Sequence, residues 1–197
     1  AVLTSEEIVF LRQLSEIVSK IILEITGQYH CNRTSLLLKS DNFFWATHRI
    51  EEYRAVPGKA KCIPDSKGLP AYAYENSGIY SIFDLPEIKS KDKFSDYMKK
   101  INERIKDKYH FQSSDSKYFG RYCRAFISLP IFRFDSDVSV CGIVSIDFMN
   151  PITDKEQIQD LLQYNFQVYT SPCLAELAKI LTDERIEKNI NIYRRMA

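Results

Sequence analysis

The stretch VCGIVSIDF, Val140 to Phe148, decides how the rest of the chain is arranged. At a period of two, Val144, Ile146 and Phe148 form one phase, and Ile143, Ser145 and Asp147 form the other. The first phase is wholly apolar and belongs in a core. The second carries a hydroxyl and a carboxylate: too polar for a strand buried on both faces, too apolar around them for a strand wet on one. What that second phase faces must be read from the segments on either side.

Immediately upstream, CRAFISLPIFRF reads as a partner strand, joined across Asp135 to Asp137 into a hairpin. Downstream of NPIT the chain becomes helical. Ile158, Leu161, Leu162, Phe166 and Tyr169 are followed by an expected kink at Ser171-Pro172, then by Leu174, Leu177, Ala178 and Leu181. The charged tail keeps a thin stripe of Ile186, Ile190 and Tyr193, fit for a helical linker or a dimer contact.

At the other end, Ser5 to Tyr29 carries Leu11, Leu14, Val18, Ile21 and Ile25 at helical spacing, with Thr4 or Ser5 as N-cap and Gly27 as stop. RTSLLLKSD and NFFWATHRIE then form a hairpin across Asp41-Asn42. A loop containing Pro57 and Gly58 leads to a short helix, LPAYAYENSG, closed by Gly78, and to the short strand IYSIFD. Phe94, Tyr97, Met98, Ile101 and Ile105 predict one amphipathic helix over Lys93 to Tyr109, either a lid or a solvated connector.

The bulk numbers narrow the function classes. With 197 residues, 45% apolar and 13% aromatic, the chain can build a substantial core. A net charge of +1 gives no electrostatic attraction for nucleic acid, and no apolar run approaches the roughly 20 residues that span a bilayer. Five scattered cysteines, Cys31, Cys62, Cys123, Cys141 and Cys173, form no CxxC and no metal-ligand pattern with His, which points to a reducing, cytoplasmic setting. The chain starts without Met, as a piece of a longer protein would.

The order helix, hairpin, short helix, short strand, long connection, hairpin, helix gives an α+β fold with an antiparallel sheet. Three segments resemble the GAF domain family of small-molecule sensors. KGLPAYAYENSGIYSIFDL (Lys67 to Leu85) is similar to the family's short helix, polar turn and strand ending in Asp. RAFISLPIF (Arg124 to Phe132) is similar to its Ser-apolar-Pro strand. CGIVSIDFMNPITDKEQIQDLLQYNFQ (Cys141 to Gln167) is similar to its last strand and closing helix. The resemblance implies a PAS/profilin-like sheet with terminal helices on one face and a ligand pocket under a lid on the other. It divides the chain into an N-terminal helix (1–29), the GAF-like domain (30–181) and a helical tail (182–197).

On that layout the expected pocket residues are Trp45, Tyr72, Tyr74, Tyr80, Phe83, Tyr122, Arg124, Ser128, Ser145 and Asp147. The aromatic members would stack on a planar or nucleotide-like ligand, or else simply belong to the core. Asp147 would touch ligand, or cap a backbone NH or pair with Arg124 across the sheet. The leading expectation is a sensory or regulatory domain, not an enzyme, that binds a small molecule and signals through helix-mediated homodimerisation. A ligand-free dimerisation module is the alternative. The family's enzymatic branch, the free methionine sulfoxide reductases, is the third, with Cys62 and Cys123 as the only cysteines near the pocket. No cofactor is indicated.

Overall fold

The computed structural model describes residues 5–51, 54–55, 62–88, 94–118, 123–136 and 138–195. The segment around Pro57 and Gly58, Lys93, and the side chain of Tyr193 lie outside that description. Helix α1, Glu6–Thr26, runs from Ser5 to Gly27; Gly27 sits at φ 71°, where its N–H donates to the Leu23 carbonyl and closes the helix. Strands β1 (Asn32–Ser40) and β2 (Phe43–Glu51) form the expected hairpin, with Asp41 in the left-handed region at its turn. Two short strands follow, β3 (Arg54–Ala55) and β4 (Cys62–Pro64), then helix α2 (Gly68–Asn76) and strand β5 (Tyr80–Ile82). Helix α3 (Phe94–Asn102), the hairpin β6 (Ala125–Phe132) and β7 (Val140–Phe148), and helices α4 (Glu156–Ile180) and α5 (Asp183–Arg194) complete the chain.

The seven strands make one antiparallel sheet in the order β3-β2-β1-β7-β6-β5, with β4 lying beside β2. The strand that posed the question, β7, is thus central. Its neighbours share its alternation. Thr34, Leu36 and Leu38 of β1 and Ala125, Ile127 and Leu129 of β6 lie in the phase of Val144, Ile146 and Phe148. That face packs on Leu11, Leu14, Val18 and Ile22 of α1 and on Leu162, Phe166 and Leu177 of α4. A buried polar clasp adds direction to it: Ser15 and Ser19 of α1 each bond the Asn32 side chain at 2.9 Å.

The opposite face is roofed by the long connection. Leu69 and Ala71 of α2, Tyr97 and Ile101 of α3, and Tyr109 and Phe111 beyond it form a second core with Leu37, Phe44 and Ile143 of the sheet. Polar ties hold the roof down. The Tyr97 hydroxyl donates to the Cys123 carbonyl at 2.7 Å, and the Lys67 ammonium to the His110 carbonyl at 2.8 Å.

Several expectations need correction. The helix predicted over Lys93 to Tyr109 ends at Asn102, because the Asn102 side chain bonds both the N–H and the carbonyl of Phe111 (2.9 and 3.0 Å) and turns the chain back on itself. Helix α2 ends at Asn76 and is closed by Ser77 in place of Gly78, Ser77 taking the left-handed conformation (φ 50°) itself. Helix α4 continues through Pro172 and ends at Ile180, with Leu181 separating it from α5. Leu161 points away from the core and is 49% exposed. Ile186 and Ile190, assigned to a leftover surface stripe, are buried in the core of the same chain. They are held there by Glu7 of α1, a buried carboxylate that receives two bonds from Arg185 (2.7 and 2.9 Å) and one from Asn189 (2.9 Å).

Candidate functional site

The cavity between sheet and roof is floored by rows of residues in cross-strand register. Arg49 of β2, Ser35 of β1, Ser145 of β7 and Ser128 of β6 stand opposite one another in one row. One row further on, Arg33, Asp147 and Phe126 stand in register, and on the other side Leu37 continues the floor. With adjacent strands about 4.8 Å apart, the hydroxyl row crosses the floor in steps that neighbouring side chains can bridge. Leu69 and Pro70 of α2, Ile101 of α3, Phe111 and Ile63 close the cavity from above. Its volume is about 100 Å³.

The floor is polar where a core would be dry. Asp147, 7% exposed, accepts from the Arg33 guanidinium at 2.9 Å (Nε) and 2.6 Å (Nη2), a charge-assisted fork on a sheet face. The Ser128 hydroxyl is buried with no hydrogen-bond partner among the described residues. A buried hydroxyl without a partner costs free energy, so its place facing a cavity is informative. The roof depends on one backbone conformation: Gly68 sits at φ 75°, and a Cβ there would lie 2.4 Å from the ring of Phe111.

Of the residues expected at a pocket, Ser128, Ser145 and Asp147 meet at this cavity. Trp45 and Phe83 lie on the helix side instead, Trp45 beneath the Arg194 guanidinium and Phe83 against Phe166. Tyr72 meets Tyr80 in a tilted contact at a centroid distance of 4.4 Å and Tyr109 edge-on at 5.3 Å, and Tyr74 meets Phe44 edge-on at 5.3 Å, so these rings pack on one another and do not line the cavity. Arg124 donates to the Leu85 carbonyl at 3.1 Å, and the partner of Asp147 is Arg33 of β1. Tyr122 lies outside the described residues.

Arg33, Ser35 and Arg49 are the polar cavity residues that the sequence reading missed. Arg33 and Ser35 carried a signal: they share the phase of Leu37, and an antiparallel neighbour of β7 with a matching polar phase belongs on the same face. Arg49 carried none. An irregularity in the β1–β2 register between Leu36 and Leu37 shifts the alternation of β2, so that Phe44 and Ala46 share the roof side with Arg49 while Trp45 does not.

The thiols expected near the pocket are not placed to act together. Cys62 pairs with Trp45, level with Gly142, whereas Cys123 sits beyond the Phe148 end of β7. That is a separation along the strands of about 20 Å at some 3.3 Å per residue, far beyond disulfide reach. Burial pushes the Cys123 thiol well above its usual range, and the Asp147 carboxylate adds to the effect. Among the described residues, no cluster of His, Cys, Asp or Glu is placed to hold a metal ion, and no helix is long and apolar enough to cross a membrane.

No protein-family model and no curated protein matches the chain. Solved structures do. The GAF domain of a two-component sensor histidine kinase from Bacillus halodurans is 14% identical, with 92% of this chain and 98% of that one covered and a TM-score of 0.42. The chain is similar to GAF domains of known structure. Another GAF domain, from an Acinetobacter phosphoenolpyruvate-protein phosphotransferase, is 12% identical over 91% of this chain and 99% of that one (TM-score 0.40). The type II free methionine-R-sulfoxide reductase from Thermoplasma acidophilum is 15% identical over 86% and 95% (TM-score 0.39). That last similarity corrects the expectation of a non-enzyme: enzymes stand among the matched structures beside the sensor domains, so likeness to this group does not separate the two. With TM-scores at this level, the functional reading rests on the chain's own residues.

Proposed function

We propose that the chain is a sensory or regulatory domain that binds a small molecule in the cavity over the Arg49–Ser35–Ser145–Ser128 row. The observation that carries this is the buried polar floor, with an orphaned Ser128 hydroxyl and a buried Arg33–Asp147 fork beneath an apolar roof. Ligand sites typically combine apolar walls with a few fixed polar groups in this way. The central strand supplies the route outward. Ser145 and Asp147 face the cavity, and Val144, Ile146 and Phe148 touch α1 and α4, so a ligand that prefers one setting of β7 biases the helices that rest on it.

A second copy of the chain completes the proposal. Leu161, Tyr164 and Val168 form an exposed stripe on α4 at helical spacing. They replace the Ile186 and Ile190 stripe as the homodimer face. Sedimentation showing only monomer at high micromolar concentration would remove this part.

The binding role is tested by thermal unfolding against a panel of small metabolites. Compounds that bind the folded state stabilise it by RT ln(1 + L/Kd), L being the free concentration, so the melting temperature rises with the logarithm of concentration once it exceeds Kd. Ala46→Leu, which adds bulk at the cavity wall, is expected to abolish the shifts. A panel with no hits, or hits indifferent to Ala46→Leu, overturns the role.

A further inference from the structure

We propose that two copies of the chain pair through antiparallel α4 helices, with Tyr164 of each copy seated in a groove of the other, an inference that rests on the homodimer face just assigned. The exposed stripe does not stop at Val168. Leu161, Tyr164, Val168, Ser171 and Ala175 recur at alternating three- and four-residue steps, the spacing of a seam between paired helices, and all five are exposed. The seam is lopsided. Large side chains fill its first half and small ones its second.

That asymmetry selects both the occupant and its direction. A parallel partner would set Tyr164 against the partner's Tyr164 and Ala175 against the partner's Ala175, crowding one end of the contact and leaving the other hollow. An antiparallel partner, related by a two-fold axis between Val168 and Ser171, sets Val168 against the partner's Ser171 and Tyr164 against the partner's Ala175. The same axis brings Asp160 level with the partner's Lys179, opposite charges at the rim of the contact.

The groove that receives Tyr164 is already built. Beside Ser171 and Ala175 lies an open cavity of about 480 Å³, walled on its other side by Tyr80 of β5, Phe132 of β6 and Phe134 just beyond it. Gln163 of α4 fixes that wall: its amide donates to the Ile79 carbonyl at 2.5 Å and accepts from the Ser81 hydroxyl at 2.6 Å. At about 100° per residue, Tyr164 turns toward the flank of α4 that carries Ser171 and Ala178, which is the groove side. A two-fold contact uses the same flank of both copies, so each tyrosine meets the other's groove. In the single chain Tyr164 is 66% exposed and Phe134 71%, and the pairing removes both rings from water.

Thiol cross-linking of the full chain reads the direction. Asp160→Cys and Lys179→Cys variants, each alone and mixed in equal amounts, are treated with a short bifunctional thiol reagent, and the joined peptides are identified by mass spectrometry. The antiparallel pair joins the two variants to each other in the mixture. Neither variant joins its new thiol to its own copy, because the two copies of one position then lie about 28 Å apart along the helices. Each variant joining to its own copy, and not to the other variant, is the parallel result and overturns the proposal while leaving the homodimer. Sedimentation then tests the groove. Tyr164→Ala and Ala175→Tyr should each weaken dimerisation by about a hundredfold, tenfold at each of the two symmetric contacts. Combined in one chain, they restore a large side chain against a small one and should recover most of the affinity. Both positions are exposed, so the fold tolerates either change. Dimerisation indifferent to both single changes overturns the groove contact and leaves the homodimer to be placed elsewhere. Wild type that stays monomeric at high micromolar concentration removes the homodimer face and this inference together.

Discussion

Replacing Asp147 with Ala should strand a charge in the sheet. Arg33, whose side chain is 16% exposed, directs Nε and Nη2 at the same Asp147 oxygen, at 2.9 and 2.6 Å. Breaking a buried pair from one side costs about 3–5 kcal/mol, because the remaining ion keeps its desolvation penalty and loses its partner. The cavity beside this pair admits water and softens that figure, so about 3 kcal/mol is expected for Asp147→Ala. Arg33→Met leaves the carboxylate stranded instead and should cost a similar amount. Removing both partners removes both penalties. Arg33→Met/Asp147→Ala should therefore fall short of the sum of the single variants by about 2 kcal/mol, within the usual range of couplings between contacting residues. Urea unfolding of the four proteins, with m-values checked for constancy, measures the cycle. Additive losses would show that the two side chains do not act as a pair and would refute the reasoning.

Three further outcomes follow from other parts of the molecule. Burial pushes the Glu7 carboxyl up, but hydrogen bonds from Arg185 and Asn189, its own backbone N–H and the nearby His48 outweigh this and lower it from 4.5 to about 2. A depressed carboxylate stabilises the fold above its unfolded pKa, and the benefit is lost as pH falls through the folded one; here it is about 3 kcal/mol. Glu7→Gln should therefore destabilise at pH 7, and its unfolding free energy should converge with that of wild type as the pH drops from 4.5 toward 2; a constant difference across that window would contradict the assignment. Gly68→Ala must hold a left-handed backbone and displace the Phe111 ring, for about 1–3 kcal/mol in chemical denaturation, and a neutral result would show the roof is looser than described. In thiol labelling, exposed Cys31 should react at once, and Cys123, Cys141 and Cys173 only on unfolding, since burial raises all three thiols, the last two to about 11. Fast labelling of Cys123 in folded protein would contradict its placement.

What the sequence disclosed, and what it hid, follows from how far each signal reaches. The alternation of Val144, Ile146 and Phe148 against Ser145 and Asp147 was legible because a central strand with one helix-packed face must alternate, and the structure places the two phases as expected. Helix α1 was legible for the same reason, through its stripe from Leu11 to Ile22. Partners were not. Asp147 could be paired with any basic residue on a neighbouring strand until register was known, and register selects Arg33 over Arg124. The aromatic residues misled because composition says that rings are plentiful and not which way they turn. A shift in the β2 alternation sends Trp45 to the helices, and the tyrosines of α2 find each other. The end of α3 at Asn102 depends on a side chain that bonds the backbone nine residues ahead, a contact no local pattern shows.

The claim on which the rest depends is that a small molecule binds over the Arg49–Ser35–Ser145–Ser128 row. Native mass spectrometry addresses it directly, with wild type and Ala46→Leu each equilibrated with the most stabilising compound of the panel. Wild type carrying one bound molecule per chain, and Ala46→Leu carrying none, is the expected result. An unliganded wild type, or equal occupancy of the two proteins, would contradict it.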